Sequence, residues 1–208
     1  MPGFLKLTFH SQPLITIHVS RITHDSYRTM DRPQNDISPQ DLARLTIEIF
    51  IREGRIIEPP DDPQGVLATR AGTFVTLRSA DGQLRGCIGT IEPAQANVAE
   101  EIVQNAISAA TRDPRFQPVS RNELPGLIYG VDVLCKPEPA RGPEDLDPSV
   151  YGVIVETIDG LRRGLLLPRI DGIDSVEKQW LAVHSKAGIR PGTRVHVERF
   201  TVTRFGKD

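Results

Sequence analysis

The chain predicts an α+β fold, a mainly antiparallel sheet with about three helices in two subdomains. Three observations carry this. Short apolar runs are joined by tight Asp-Gly turns, at Asp81-Gly82 and Asp159-Gly160, which signal hairpins. Only three stretches repeat apolar residues at helical spacing. Long proline-rich links replace the regular helical crossovers that a parallel sheet requires.

The first helix opens at Ser38-Pro39-Gln40-Asp41. Ser38 suits the N-cap, Pro39 the first turn, and Asp41 the positive end. Leu42, Leu45, Ile49 and Phe50 form its apolar stripe, and Gly54 ends it. After the loop Glu58–Pro63, a strand over Thr73–Arg78 turns through Ser79–Gly82 into a return strand, Leu84-Arg85-Gly86-Cys87-Ile88-Gly89-Thr90. Side chains on a strand alternate faces, so Leu84 and Ile88 face the core while Arg85, Cys87 and Gly89 share the other side.

A second helix is expected from about Ala94 to Thr111, its late alanines (Ala106, Ala109, Ala110) allowing close packing on a sheet. Asp113-Pro114 stops it, because a residue before proline avoids the helical region. Leu127–Leu134 reads as a strand, and Lys136–Pro148 as an irregular link and subdomain boundary. A hairpin follows over 152–156 and 164–167. The third helix is expected to start near Asp174 with Glu177 completing a capping box, and to end at Lys186-Ala187-Gly188. One closing strand is expected from Arg194 to Phe205.

Composition narrows the function classes. A chain of 208 residues with 38% apolar and 25% charged residues can bury a core. Net charge −2 and pI near 6.2 provide no overall attraction to nucleic acid or membrane. Two cysteines, Cys87 and Cys135, make neither a disulfide framework nor a metal cluster, and point to the reducing cytoplasm. No P-loop, GxGxxG, HExxH or cysteine-rich cluster occurs, so no metal or cofactor is expected from motifs. Residues 1–35 differ from the rest: four basic and two acidic residues, three of the five histidines, and no helical period. They are expected to be a poorly ordered tail or misread upstream codons, leaving 36–208 as the domain.

Several runs together carry a resemblance: LRGCIGTIEP at 84–93, AATRDPRFQPV at 109–119, VDVLCKPEP at 131–139, RRGLLLPRIDGID at 162–174 and VERFTVTRF at 197–205. In these the chain resembles the AMMECR domain family, and more closely its prokaryotic branch, AmmeMemoRadiSam system protein A. The resemblance covers nearly all of 38–208. It implies a compact α+β domain in two parts with the LRGCIG segment at a cleft, and association with a Memo-like protein and a radical-SAM protein. It implies no established reaction.

The candidate site centres on Cys87. Beside a fixed positive charge a thiol becomes a better nucleophile, so Cys87 is a candidate reactive thiol tuned by Arg85; the competing reading is a small packed side chain. Arg85 suits a carboxylate or phosphate of an anionic ligand, or else a structural ion pair. Gly86 and Gly89 would let a ligand approach the backbone. Arg115 either lines the cleft or locks the helix end with Asp113, and Glu138, held between two prolines, is a candidate partner for Arg85. His184 and His196 are the only histidines after residue 35, and neither is expected to serve Cys87 as a base. Three functions follow: a substrate-handling accessory of a modification system, a peptide- or partner-binding module, or an RNA-associated factor if Arg70, Arg85, Arg112, Arg115 and Arg162 cluster.

Overall fold

The structure, a computed structural model, describes residues 33–190 and 192–206. The expected tail therefore lies, up to residue 32, outside the described residues. The chain divides into two compact units, residues 33–136 with 202–206, and Pro137–Thr201. Each has its own antiparallel sheet.

In the first unit α1 (Pro39–Glu53) starts where Ser38 accepts the Asp41 N–H, and ends at Gly54, whose φ of 71° turns its N–H onto the Phe50 carbonyl. β1 (Thr73–Arg78) and β2 (Leu84–Gly89) form the first hairpin, and Gly82 takes φ 83° at its turn. The second helix, α2, spans Val98–Thr111 rather than starting at Ala94. The buried Glu101 carboxylate captures the N–H groups of Ala94 and Gln95, holding them out of the helix, and Asn97 caps the first turn. β3 (Ile128–Leu134) and β8 (Val202–Gly206) complete a sheet of order β2-β1-β3-β8. α1 and α2 cover one face of it. Val75, Leu77, Val131 and Val133 from that face bury against Leu42, Ile47, Ile102 and Ala106, the apolar area removed from water being the main stabilising term.

The second unit contains β4 (Glu138–Ala140), β5 (Gly152–Thr157), β6 (Arg163–Leu166), α3 (Val176–Ala187) and β7 (Val195–Phe200), in sheet order β4-β7-β5-β6. Val153, Val155, Leu166, Val183 and Val197 form its core. The link at 136–148 thus holds a short strand that its prolines concealed. α3 is capped by Ser175, which accepts the Lys178 N–H, one residue later than expected; Asp174 instead pairs with Lys178 at 2.7 Å. The expected closing strand is two strands, broken at Thr201: β7 pairs with β4 and β5, β8 with β3. The apolar residues shift from odd positions (Val195, Val197) to even ones (Phe200, Val202) ahead of the break, but that shift does not reveal which sheet the chain pairs with next.

Candidate functional site

β2 is an edge strand of the first sheet. Cys87 stands opposite Thr76, with Sγ 3.3 Å from Oγ1. Its N–H and C=O point outward from the sheet, where a further strand would bond, and both are taken by side chains instead. Asp113, which ends α2 and is 4% exposed, accepts the Cys87 N–H at 2.8 Å. Arg115 donates through Nη2 to the Cys87 carbonyl at 3.3 Å. The two are joined by Arg115 Nε and Nη2 donating to the Asp113 carboxylate at 2.8 and 2.6 Å, and the Arg115 N–H adds a bond at 3.1 Å. This ion pair closes the sheet edge at Cys87, as charged groups on edge strands do. The guanidinium that reaches Cys87 is therefore Arg115.

Arg85 turns elsewhere. Its Nε and Nη2 donate to the two Glu123 oxygens at 2.6 and 3.3 Å, while Glu123 also accepts from the Ser120 N–H and hydroxyl, each at 2.8 Å. Phe116 ties the two pairs together: its ring centroid lies 5.8 Å from the Arg85 guanidinium carbon and 5.4 Å from that of Arg115. Both guanidinium groups thus carry a bound carboxylate.

Electrostatics follow from these contacts. Burial by itself would raise the Asp113 carboxyl, but the Arg115 guanidinium and the N–H groups of Cys87 and Arg115 outweigh it and hold the group below its ordinary value. The Asp113 hydrogen bond in turn raises Arg115. Arg85, against a smaller opposing effect of burial, depresses Glu123 to about 2. A carboxyl lowered on folding contributes stability above its unfolded pKa, near 4.3 for a glutamate, and that stability is lost as pH falls through the folded value. Acid titration of the folded protein is therefore expected to release the Arg85–Glu123 pair only as the pH falls through about 2. Carboxyl-carbon NMR shifts of Glu123 check this; a midpoint near 4.3 would show that the pair is not formed in solution.

The glycines of this segment leave room for protein, not for a ligand. A Cβ on Gly86 would lie 2.3 Å from the Ala109 carbonyl oxygen, since Gly86 faces α2; one on Gly89 would meet the Thr73 oxygen and the Phe74 ring at 2.3 and 2.4 Å. Glu138 does not pair with Arg85. It belongs to the second unit and accepts from Arg199 Nε at 2.7 Å. His184, buried on α3, donates from Nδ1 to the Trp180 carbonyl at 2.9 Å, and His196 is exposed on β7.

On the sheet face turned away from α1 and α2, Cys87, Thr76 and Gly130 are half-buried, while Phe74 and Asp132 are buried. Strand register places Cys87, Thr76, Gly130 and Gly206 in one row across it, and Gly89, Phe74, Asp132 and Arg204 in the next. A Cβ on Gly130 would meet nothing nearer than 3.9 Å among the described residues. Arg204 binds Asp132 at 2.7 and 3.1 Å. Glu123, Thr76 and Gly130 were not singled out from the sequence: Glu123 is 38 residues from Arg85, and no local pattern announces a pairing across that interval. Among the described residues no cluster of histidine, cysteine or carboxylate could hold a metal ion, and no helix is long and apolar enough to cross a membrane.

Comparison with known proteins agrees with this architecture. A Thermotoga maritima protein is 52% identical over 165 residues, which are 78% of this chain and 94% of that protein. A Clostridium acetobutylicum protein is 38% identical over 97% of this chain, but the match spans only 42% of that longer protein. The crystal structure of an uncharacterized protein from Pyrococcus horikoshii superposes with a TM-score of 0.74 at 34% identity, covering 82% of this chain and 90% of that one. The AMMECR1 family model matches residues 40–207, taking in the α2 stop, the edge strand and both sheets. The chain belongs to the AMMECR1 family.

Proposed function

We propose that this chain is a substrate-handling component of a modification system, working in the cytoplasm beside a Memo-like protein and a radical-SAM protein of the AmmeMemoRadiSam kind. The observation that carries the reading is the row Cys87–Thr76–Gly130–Gly206, in which a half-buried thiol adjoins a floor of small side chains. Such a floor lets a flat group lie against the sheet, and the Asp113–Arg115 pair holds the Cys87 peptide in one position beside it. Arg85 and Arg115 frame this site rather than supply a free charge, since each already binds a carboxylate. A further fact supports a component that acts through others: the Clostridium acetobutylicum relative is much longer than the stretch it shares with this chain.

The second reading, a partner-binding module without chemistry, draws on the same neutralised frame. An RNA-associated role is disfavoured, because Arg85 and Arg115 are paired and Arg70 is turned onto the carbonyls of Pro93 and Gln95.

Native alkylation of Cys87 in a Cys135→Ala background separates the readings. Substrate handling predicts labelling of the folded protein at pH 7 within about tenfold of the unfolded chain, since an accessible thiol needs no opening. Gly130→Ala, which places a methyl group on the floor, is expected to slow labelling without lowering the melting temperature. Labelling that appears only on unfolding would remove Cys87 from any working surface and leave the partner-binding module.

A further inference from the structure

The second unit holds a feature that the Cys87 site does not use. The loop 146–149 and the segment 169–176 enclose an open cavity of about 620 Å³, within the range of small-molecule sites. Leu146, Pro148, Ile173 and Val176 give it apolar walls. Arg169 lines it and is the one non-glycine residue with positive φ (55°) among the described residues. A side chain in the left-handed region is disfavoured, and glycine at this position would remove the penalty.

Arg169 ties the two segments together: its N–H donates to the Pro148 carbonyl at 2.8 Å and its Nε to the Ser149 carbonyl at 3.1 Å. Its two terminal guanidinium nitrogens bond nothing among the described residues. The nearby carboxylates are engaged. Asp147 accepts from the Ser149 N–H and hydroxyl at 2.9 and 2.7 Å, and Asp174 pairs with Lys178. Ser175 at the cavity wall accepts the Lys178 N–H and shares its hydroxyl hydrogen with the Glu177 carboxylate, so it is engaged as well. An anchored guanidinium with two donors to spare, over apolar walls, matches a planar carboxylate attached to an apolar body.

We propose that this cavity binds a small carboxylic acid with an apolar body, its carboxylate held by the terminal nitrogens of Arg169. The site lies wholly in the second unit and stands independently of the role given to Cys87. On this reading arginine is kept in a strained backbone position for its side chain, at the expense of stability.

The test titrates the full-length protein with 4-phenylbutyrate and, as a neutral isostere, 4-phenylbutanamide, following the methyl resonances of Leu146, Ile173 and Val176. Saturable shifts of all three are expected with the acid, and binding at least about tenfold weaker with the amide, as loss of a charge-assisted bidentate contact implies. Arg169→Gly is expected to melt at the same or a higher temperature while losing the acid's binding at least about tenfold. Arg169→Lys, which keeps charge but not the fork, should fall between. No saturable shift with the acid, equal affinity for acid and amide, or undiminished binding by Arg169→Gly would each overturn the proposal. An Arg169→Gly protein of lowered melting temperature would overturn the claim that arginine is retained there against stability.

Discussion

Gly86→Ala is expected to destabilise the protein by about 3 kcal/mol, lowering its melting temperature by roughly 6–12 °C. The methyl group would sit 2.3 Å from the Ala109 carbonyl oxygen and 3.6 Å from Leu77 Cδ1. The first contact is to helical backbone, which cannot rotate away as a side chain would, so α2 must lift from β2 as a whole. That movement would open the packing of Ala106, Ala109 and Ala110, all buried. Gly130→Ala in the same sheet is the control, since nothing among the described residues lies nearer than 3.9 Å there. Thermal unfolding of the two variants side by side makes the comparison. A Gly86→Ala protein melting within about 2 °C of the parent, less than the effect of 1 kcal/mol in a chain of this size, would show that α2 does not approach β2 as described.

Asp113→Ala is expected to cost about 3 kcal/mol as well, by a different route. The substitution removes one carboxylate that accepts the Cys87 N–H, the Arg115 N–H and the Arg115 guanidinium. Arg115 would remain with its side chain 17% exposed and no counter-charge, and breaking a buried pair from one side leaves the other charge uncompensated. Some water reaches this guanidinium, which places the effect at the low end of the range for buried pairs. The edge of β2 would also lose its block, so Cys87 alkylation in the native state should quicken. Asp113→Asn, which keeps an acceptor but not the charge, should cost less than Asp113→Ala. Urea unfolding checks both; a loss under about 1 kcal/mol for Asp113→Ala would mean that Arg115 finds solvent and the clip contributes little.

What the chain's own order determines is local. Ser38 and Gly54 bound α1 because capping needs only a side-chain oxygen and a permissive backbone within a few residues. The hairpin at Ser79–Gly82 and the split of Leu84 and Ile88 from Arg85 and Cys87 follow from turn chemistry and a two-residue period. The stop at Asp113-Pro114, with Asp113 and Arg115 joined, is legible for the same reason: the partners are two residues apart.

Tertiary structure decided everything that needed a distant partner. Whether Arg85 meets a ligand, Glu138 or Glu123 is a question of which segments fold side by side, and Glu123 arrives from beyond α2. The start of α2 moved to Val98 because the Glu101 carboxylate reaches back for two N–H groups that helical periodicity would have counted in. The closing stretch became β7 and β8 because two different sheets offered it partners, and the parity shift of its apolar residues between Val197 and Phe200 does not say which partners those are. Alternation reports which face is apolar, and hydrogen-bond pairing between strands leaves no mark on it. The small-residue row beside Cys87 was hidden in the same way. Thr76, Gly130 and Gly206 come from three strands, and only their register makes them neighbours.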